Sequence, residues 1–154
     1  MPEYLIVQND EEYKAAAALF KEYAAWLDID LGFQHFDEEL DNLKKMYNAA
    51  DGGIIICKEN DYFIGCVAIR RSAVNIAELK RMYVQPAHQY KGIGKNLLEQ
   101  SLELAKNLHY ECIRLDTLNH MTAAIDLYKK YGFYEIAAYY QNPFETAVYF
   151  EKKL

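Results

Sequence analysis

Residues 84–94 read VQPAHQYKGIG, and they join a strand-like run to a strongly amphipathic helix through two glycines, Gly92 and Gly94. Glycine adopts positive φ angles and lets a ligand approach the main chain closely. The first turn of the following helix offers N–H groups without intrahelical acceptors and the positive end of the helix dipole. The stretch therefore predicts an anion cradle suited to a phosphate or a pyrophosphate. The alternative is a glycine pair that only turns the chain into a helix.

The spacing around the glycines excludes two familiar phosphate loops. A P-loop has four residues between its glycines and then Gly-Lys-Ser/Thr, and the dinucleotide fingerprint needs a third small residue where Leu97 stands. The pattern present is Gln-x-x-Gly-x-Gly at residues 89–94, with ELKRMYV before it at residues 78–84 and LYKKYGF after it at residues 127–133. Together, over about residues 76–133, these three motifs resemble the GNAT superfamily of N-acetyltransferases.

The apolar patterns along the chain predict both helices and strands. Apolar residues recur at helical spacing after predicted caps at Asn9 and Asp37 and after the glycine cradle. Alternating or continuous apolar runs indicate strands. The predicted helices cover residues 10–27, 37–47, 92–108 and 121–131. The predicted strands cover residues 4–7, 54–57, 63–69, 76–84, 112–116, 133–137 and 147–150. This order indicates an α/β fold with a mixed sheet and helices on both faces.

The resemblance implies the GNAT acyl-CoA N-acyltransferase fold. In that fold the central sheet splays between two strands, here residues 76–84 and 112–116, and the arm of acetyl-coenzyme A (acetyl-CoA), the cosubstrate, lies in the opening. With 154 residues and a hydrophobic content of 52%, the chain is expected to form a single domain over residues 1–154.

Composition narrows the compartment and the partners. No apolar run approaches the length that spans a bilayer, and the first residues have no signal-peptide pattern, so we expect a cytoplasmic protein without membrane contact. The net charge of −6 argues against an extended nucleic-acid surface. Cys57, Cys66 and Cys112 stand in apolar runs typical of core thiols, and the four histidines lack metal-ligand spacing.

Basic residues gather in the segments that flank the cradle. As a group they predict a local positive area beside a phosphate site on an otherwise acidic protein. Taken singly, each fits an ordinary solvated surface charge. They are Arg70, Arg71, Lys80, Arg81, Lys91 and Lys95.

The resemblance assigns the cofactor contacts. Main-chain N–H groups hold the pyrophosphate, with the side chains of Gln89 and Lys91 in support. Main-chain groups of Met82 and Val84 bind the pantetheine arm, and a bulge in this strand of the family points an N–H at the thioester oxygen. Met82 also fits an ordinary core residue. The N–H groups come from Gln89, Tyr90, Lys91, Gly92, Ile93, Gly94 and Lys95.

Acetyl transfer from a thioester to an amine needs a neutral amine, a stabilised oxyanion and a proton for the departing thiolate. Tyr128 matches the family tyrosine that protonates the thiolate, and a phenol with a pKa of about 10 suits a thiol with a pKa of about 8.5. The alternative for Tyr128 is a core tyrosine on an amphipathic helix. Met121 stands where many members of the family have an asparagine.

Glu78 is the second candidate for catalysis. Alternation along the strand predicts that it shares a face with Lys80, Met82 and Val84. In some members of the family a glutamate at the matching place deprotonates the incoming amine, which would make Glu78 the general base. The sequence leaves a second interpretation open, in which Glu78 forms an ion pair with Lys80 or Arg81 at the surface.

No cysteine stands beside the motifs with a basic partner, so we expect direct attack by a primary amine of a small molecule in a ternary complex. Two alternatives stay open: a protein N-terminal or lysine acetyltransferase, and a non-catalytic sensor that binds acetyl-CoA. The net negative charge would steer cationic amines to the protein. Homodimers are frequent in the family, so a homodimer is a further expectation. The acceptor pocket is predicted to include Tyr139, Tyr140, Phe33, His35 and Phe36.

Overall fold

The computed structural model describes the backbone of residues 1–154 and every side chain but that of Phe33. The helices are α1 (Asp10–Leu27), α2 (Phe36–Asp41), α3 (Leu43–Met46), α4 (Ile93–Asn107) and α5 (Thr122–Lys130). The strands are β1 (Glu3–Ile6), β2 (Gly53–Glu59), β3 (Tyr62–Ala73), β4 (Ile76–Val84), β5 (Cys112–Leu118), β6 (Tyr134–Ile136) and β7 (Ala147–Lys153). Short 3-10 helices cover Gly32–Gln34 and Pro86–His88.

One sheet contains all these strands in the order β1-β2-β3-β4-β5-β7-β6. β4 and β5 are parallel, and their pairing runs from Ile76 opposite Cys112 only as far as Glu78 opposite Arg114. Beyond that pair no ladder joins the two strands in the described chain, so the sheet opens between the last six residues of β4 and the end of β5. The predicted α/β fold with a splayed mixed sheet is confirmed.

Two apolar clusters cover the two faces of the sheet, and burial of each large side chain contributes about 1.5–3 kcal/mol. We call them the α4 core and the α1 core. The α4 core includes Leu97, Leu98 and Leu102 of α4, Val67 and Ile69 of β3, Ala77 and Leu79 of β4, and Tyr128 of α5. The α1 core includes Leu19 and Phe20 of α1, Ile54 and Ile56 of β2, Cys66 and Ala68 of β3, and Tyr83 of β4.

The predicted cap of α1 is confirmed, and that of the second helix is wrong. Asn9 Oδ1 accepts a hydrogen bond from Glu12 N–H at 2.9 Å. The second helix begins after His35, whose φ of 57° turns the chain, and Asn42 separates α2 from α3. Asp37 lies instead in the first turn of α2, where a carboxylate interacts favourably with the positive end of the helix dipole.

Two of the three cysteines confirm the prediction of core thiols. Cys57 and Cys66 are fully buried, while Cys112 is partly buried, and all three are free thiols. None of the described helices combines the length and the apolar character needed to cross a membrane.

Candidate active site

The glycine stretch ends in a loop whose main-chain N–H groups from Tyr90 onward are free. The N–H of Gln89, also predicted as a pyrophosphate donor, bonds instead to Pro86 O at 3.3 Å. Gly92 is the N-cap residue of α4 with φ 82°, a backbone conformation that favours glycine. The first backbone N–H of α4 with an acceptor is that of Asn96, which bonds to Gly92 O at 3.1 Å. Among the described residues, no acceptor contacts the N–H groups of residues 90–95. Six consecutive donors at a helix N-terminus fit a pyrophosphate.

The two glycines leave room above the main chain. A Cβ added at Gly92 would meet no atom within 4 Å, and one added at Gly94 would meet only Val84 Cγ2 at 3.9 Å. Packing within the protein therefore does not explain Gly94. A ligand that lies against the main chain does explain it.

The side chains around the cradle differ in their burial and in their partners. Gln89 Nε2 donates to Val84 O at 3.0 Å, so the Gln89 amide fastens the loop to the end of β4. Ile93 is buried in the α4 core, which leaves its N–H as its only group for a ligand. Tyr90 is 94% exposed, and Lys91 is exposed as well. Lys95 pairs loosely with Glu99 at 3.8 Å.

A cleft of about 500 Å³ adjoins the cradle on the α4 side of the sheet. We call it the cradle cleft. It lies between the end of β4, the cradle loop and the first turns of α5. The residues predicted to bind the cofactor that line it are Met82, Val84, Gln89, Tyr90, Gly92, Gly94 and Lys95, and Met121 lines it as well. Lys91 and the Ile93 side chain are not among its lining residues.

β4 contains a bulge at Arg81, whose φ is 59°. Cys66 pairs with Tyr83 and Ala68 with Lys80, so two residues of β4 stand opposite one residue of β3. The bulge reverses the alternation, which places Met82 and Val84 on the α4 side and leaves Glu78 and Lys80 on the α1 side. The prediction that all four share one face is wrong, because period two holds only for an unbroken strand.

A buried ion pair holds the bulge. The Arg81 guanidinium donates to both oxygens of Glu39, from Nε at 2.9 Å and from Nη2 at 2.7 Å, and it stacks on the Phe36 ring at 5.2 Å. Tyr47 donates its hydroxyl to Glu39 Oε2 at 2.9 Å. Burial would raise the pKa of Glu39, but the hydrogen bonds and charge of Arg81 outweigh it, so the pKa is lowered. Positive φ at a non-glycine residue is strained, and these contacts compensate for the strain.

Tyr128 lies at the opening of the sheet, where β4 and β5 diverge. It lines a small cavity of about 60 Å³, the junction cavity, together with Met82 and Asp116. Its ring packs on Phe133 at a centroid distance of 5.6 Å, and its hydroxyl has no hydrogen-bond partner among the described residues. Burial raises the pKa of Tyr128, and the nearby Tyr23 and Asp116 raise it further. The phenol therefore holds its proton at neutral pH, and it is a weaker acid than the ordinary tyrosine assumed from the sequence.

Glu78 is buried and its carboxylate is fully engaged. Arg70 Nε donates to Oε1 at 2.9 Å, Tyr139 donates its hydroxyl to Oε2 at 2.8 Å, and Lys80 Nζ lies 4.0 Å from Oε1. Burial would raise the pKa of Glu78, but the charges of Lys80 and Arg70 outweigh it, so the pKa is lowered. A carboxylate held this way is a weak base. The geometry favours the ion-pair interpretation, with the pair buried and without Arg81.

A third cavity, of about 630 Å³, opens on the α1 side of the sheet. We call it the arginine cavity. Of the residues predicted for an acceptor pocket, Tyr139, Tyr140 and His35 line it. Phe36 packs instead against the α1 core, and the side chain of Phe33 lies outside the described residues. The other lining residues are Gln34, Glu38, Glu39, Met46, Arg70, Arg71, Ser72, Glu78 and Lys80.

The basic residues predicted to surround the cradle lie on two different sides of the sheet. Lys91 and Lys95 belong to the cradle loop, as predicted. Arg70, Arg71 and Lys80 line the arginine cavity. Sequence proximity to the glycines misled the prediction, because Arg70 and Arg71 stand on β3 and Lys80 stands before the bulge of β4, facing the α1 side.

Two polar residues of the junction cavity, Asp116 and Gln34, were not predicted from the sequence. Asp116 of β5 accepts a hydrogen bond from the Tyr140 hydroxyl at 2.6 Å. Gln34 Nε2 donates to the same hydroxyl at 3.1 Å. Asp116 could have been predicted as a site residue, because it stands near the C-terminal end of a strand beside the sheet opening. Nothing in the sequence around Gln34, which lies in a 3-10 helix, indicates a site residue.

A splayed sheet, free N–H groups at the start of a helix and a protonated phenol at the sheet opening are together typical of enzymes that transfer an acyl group from a nucleotide-bearing carrier. More narrowly, the chain matches the acetyltransferase (GNAT) family over residues 14–133 and belongs to that family. An uncharacterised N-acetyltransferase of Schizosaccharomyces pombe is 33% identical over 85% of this chain and 82% of its own. The predicted class is confirmed: an N-acetyltransferase with acetyl-CoA as its cosubstrate.

Solved structures share the fold. A GNAT-family acetyltransferase from Staphylococcus aureus matches with a TM-score of 0.82 at 19% identity, over 99% of each chain. The PaiA N-acetyltransferase of Thermoplasma acidophilum, solved in complex with coenzyme A, matches with a TM-score of 0.76 at 20% identity, over 100% of this chain and 99% of that one. At these identities the likeness shows the fold alone.

Proposed function

We propose that the protein moves the acetyl group of acetyl-CoA to the primary amine of a small molecule by direct attack within a ternary complex. The observation that carries this proposal is the position of the junction cavity between the two larger ones. It shares Met82 and Met121 with the cradle cleft, and Gln34 and Lys80 with the arginine cavity. A donor in the cleft and an acceptor in the arginine cavity would therefore meet beside Tyr128.

The cofactor would lie along the α4 side of the sheet. The N–H groups of residues 90–95 hold its pyrophosphate, and the main chain of Met82 and Val84 flanks its pantetheine arm. Acetyl-CoA supplies an activated acetyl thioester at the junction cavity. The bulge interrupts the pairing of β4 there, which turns main-chain donors toward the developing oxyanion.

Tyr128 is the proposed general acid. It holds a proton at its phenol oxygen, faces the junction cavity, and delivers the proton to the departing sulfur. Asp116 is the one carboxylate among the described residues that line the junction cavity, so we assign it the proton of the attacking amine. Glu78 as general base stays a prediction that the geometry does not favour.

The shape of the arginine cavity supports a small acceptor over a protein. It is a cavity of about 630 Å³, a size that suits a small molecule, and Tyr139 and Tyr140 are part of its lining. A protein acetyltransferase would instead need an open groove for an extended peptide. A panel of small amines and peptides, followed by thiol release from acetyl-CoA, separates the two cases.

A Tyr128→Phe variant tests the assignment of the general acid. We expect kcat to fall about 100-fold or more, while acetyl-CoA binding measured by isothermal titration stays unchanged. Tyr62→Phe is the matched control, because Tyr62 is 74% exposed on β3 and should retain full turnover. Unchanged turnover in Tyr128→Phe would remove this tyrosine from its role. The absence of acetyl-CoA binding by the native protein would refute the proposed function.

A further inference from the structure

The arginine cavity is short of free carboxylates although the chain has a net charge of −6. Arg81 holds Glu39, and Arg70 and Lys80 flank Glu78. Glu38, exposed at the rim, is the one lining carboxylate without an ion pair among the described residues. A polyamine would therefore find little to bind in this cavity, although the net charge would steer cationic amines to the protein.

Lys80 presents an unsatisfied donor. Its side chain is buried, with 9% of the residue exposed, and its ammonium lies 4.0 Å from Glu78 Oε1, too far for a hydrogen bond. Among the described residues no other acceptor is within hydrogen-bond distance of Lys80 Nζ. An ammonium carries three donors, and that of Lys80 opens on the cavities, where a ligand can accept from it. Lys80 lines both the junction cavity and the arginine cavity.

Gln34 has the complementary unpaired group, an acceptor. Its Nε2 donates to the Tyr140 hydroxyl, but its Oε1 is buried without any donor among the described residues. Gln34 also lines both cavities. The lining that the junction cavity and the arginine cavity share thus contains a cation without an acceptor and an amide oxygen without a donor.

We infer that the acceptor is a free α-amino acid, a class of substrate that rests on the proposed function. Its carboxylate would accept from Lys80, with Arg71 at the cavity wall adding attraction. Its amine would donate to Gln34 Oε1 and face the junction cavity. One molecule with a donor and an anion on the same carbon satisfies both unpaired groups, and its side chain occupies the remaining volume beside Tyr139 and Tyr140. A peptide N-terminus lacks the carboxylate.

The test compares amines that differ only in the carboxylate. The twenty standard L-amino acids, their amides, the matching decarboxylated amines, putrescine, spermidine and short peptides are incubated with acetyl-CoA, and thiol release is followed. We expect kcat/KM for the best amino acid to exceed that of its amide by roughly 10- to 100-fold, the loss of one charged hydrogen bond. Equal rates, or a preference for polyamines or peptides, would overturn the inference and leave the proposed function standing. No thiol release with any amine would refute the proposed function itself.

Two variants locate the effect. Lys80→Met should raise KM for the amino acid about tenfold or more and leave KM for the amide nearly unchanged. Arg71→Gln, at an exposed position that does not threaten folding, should act in the same direction more weakly. Lys44→Met, at an exposed lysine of α3, is the control and should alter neither substrate. Equal losses for amino acid and amide in Lys80→Met, with a native melting temperature, would show a merely structural role and refute the assignment.

Discussion

Replacing Glu39 with glutamine tests how the bulge in β4 is held. The substitution keeps the shape of the side chain and an acceptor for the Tyr47 hydroxyl, but it removes the negative charge. Arg81, only 6% exposed, then stays buried without a counter-charge. Because its hydrogen bonds to Glu39 stabilise a strained backbone, the variant should lose stability and also misplace the main chain at the sheet opening.

The expected loss of stability in Glu39→Gln follows from the burial of the ion pair. Removing one partner of a buried ion pair costs about 3–5 kcal/mol, because the remaining charge is uncompensated. For a chain of this length each kcal/mol shifts the melting temperature by about 2–4 °C. The Glu39→Gln variant should therefore melt about 6–20 °C below the native protein. Its kcat should fall as well, since the donors that face the oxyanion move with the bulge.

Thermal and urea unfolding, followed by circular dichroism, measure the effect. The double variant Glu39→Gln/Arg81→Met leaves no buried charge and should be more stable than Glu39→Gln alone. Lys44→Gln removes an exposed ion pair with Asp10, 3.9 Å apart, and should change stability by less than about 1 kcal/mol. A Glu39→Gln variant as stable as Lys44→Gln would refute the role given to the pair.

Three further predictions concern pH, the cradle and the proton acceptor. The pKa of Glu39 is lowered in the folded state, so the contribution of this carboxylate to stability is present above its ordinary pKa of 4.5 and is lost as pH falls through the folded pKa. In acid unfolding, the difference in stability between the native protein and Glu39→Gln should therefore narrow below about pH 4.5. A constant difference would contradict this. Gly94→Ala should weaken acetyl-CoA binding about tenfold, or about 1.4 kcal/mol, in calorimetry while the melting temperature changes by less than about 2 °C, because the protein has room for the added Cβ and a ligand against the main chain does not. Equal affinity would return the glycines to a simple turn. Asp116→Asn should lower kcat about 100-fold or more, whereas Glu78→Gln should retain most of the turnover, and the opposite pattern would make Glu78 the general base.

Features that depend on neighbouring residues were predictable. The Asn9 cap, the positive φ of Gly92 and the start of α4 all follow from local chemistry. The motifs around them were sufficient to identify the family, and with it the splay between β4 and β5. Single-domain organisation, a cytoplasmic location and a homodimer stay predictions.

Features that depend on distant residues were not predictable in the same way. The resemblance implied a bulge in this strand, but arginine does not favour positive φ, so no local signal places the bulge at Arg81. Its partner Glu39 lies 42 residues earlier in the chain. Alternation applied without the bulge placed Glu78 on the same face as Met82, and Arg70, Arg71 and Lys80 were assigned to the wrong side of the sheet. Gln34 became part of the site only because its 3-10 helix packs beside Tyr140.

The bulge also makes β4 a strand with two separate specificities. Before Arg81, Glu78 and Lys80 face the side that would receive the acceptor, and after it Met82 and Val84 face the side that would receive the cofactor. Substitutions in the first half can therefore change which amine is acetylated without altering the grip on the acyl donor. Laboratory evolution directed at residues 78–80 would explore new acceptors on an unchanged cofactor site, as long as the one-residue offset at Arg81 is kept.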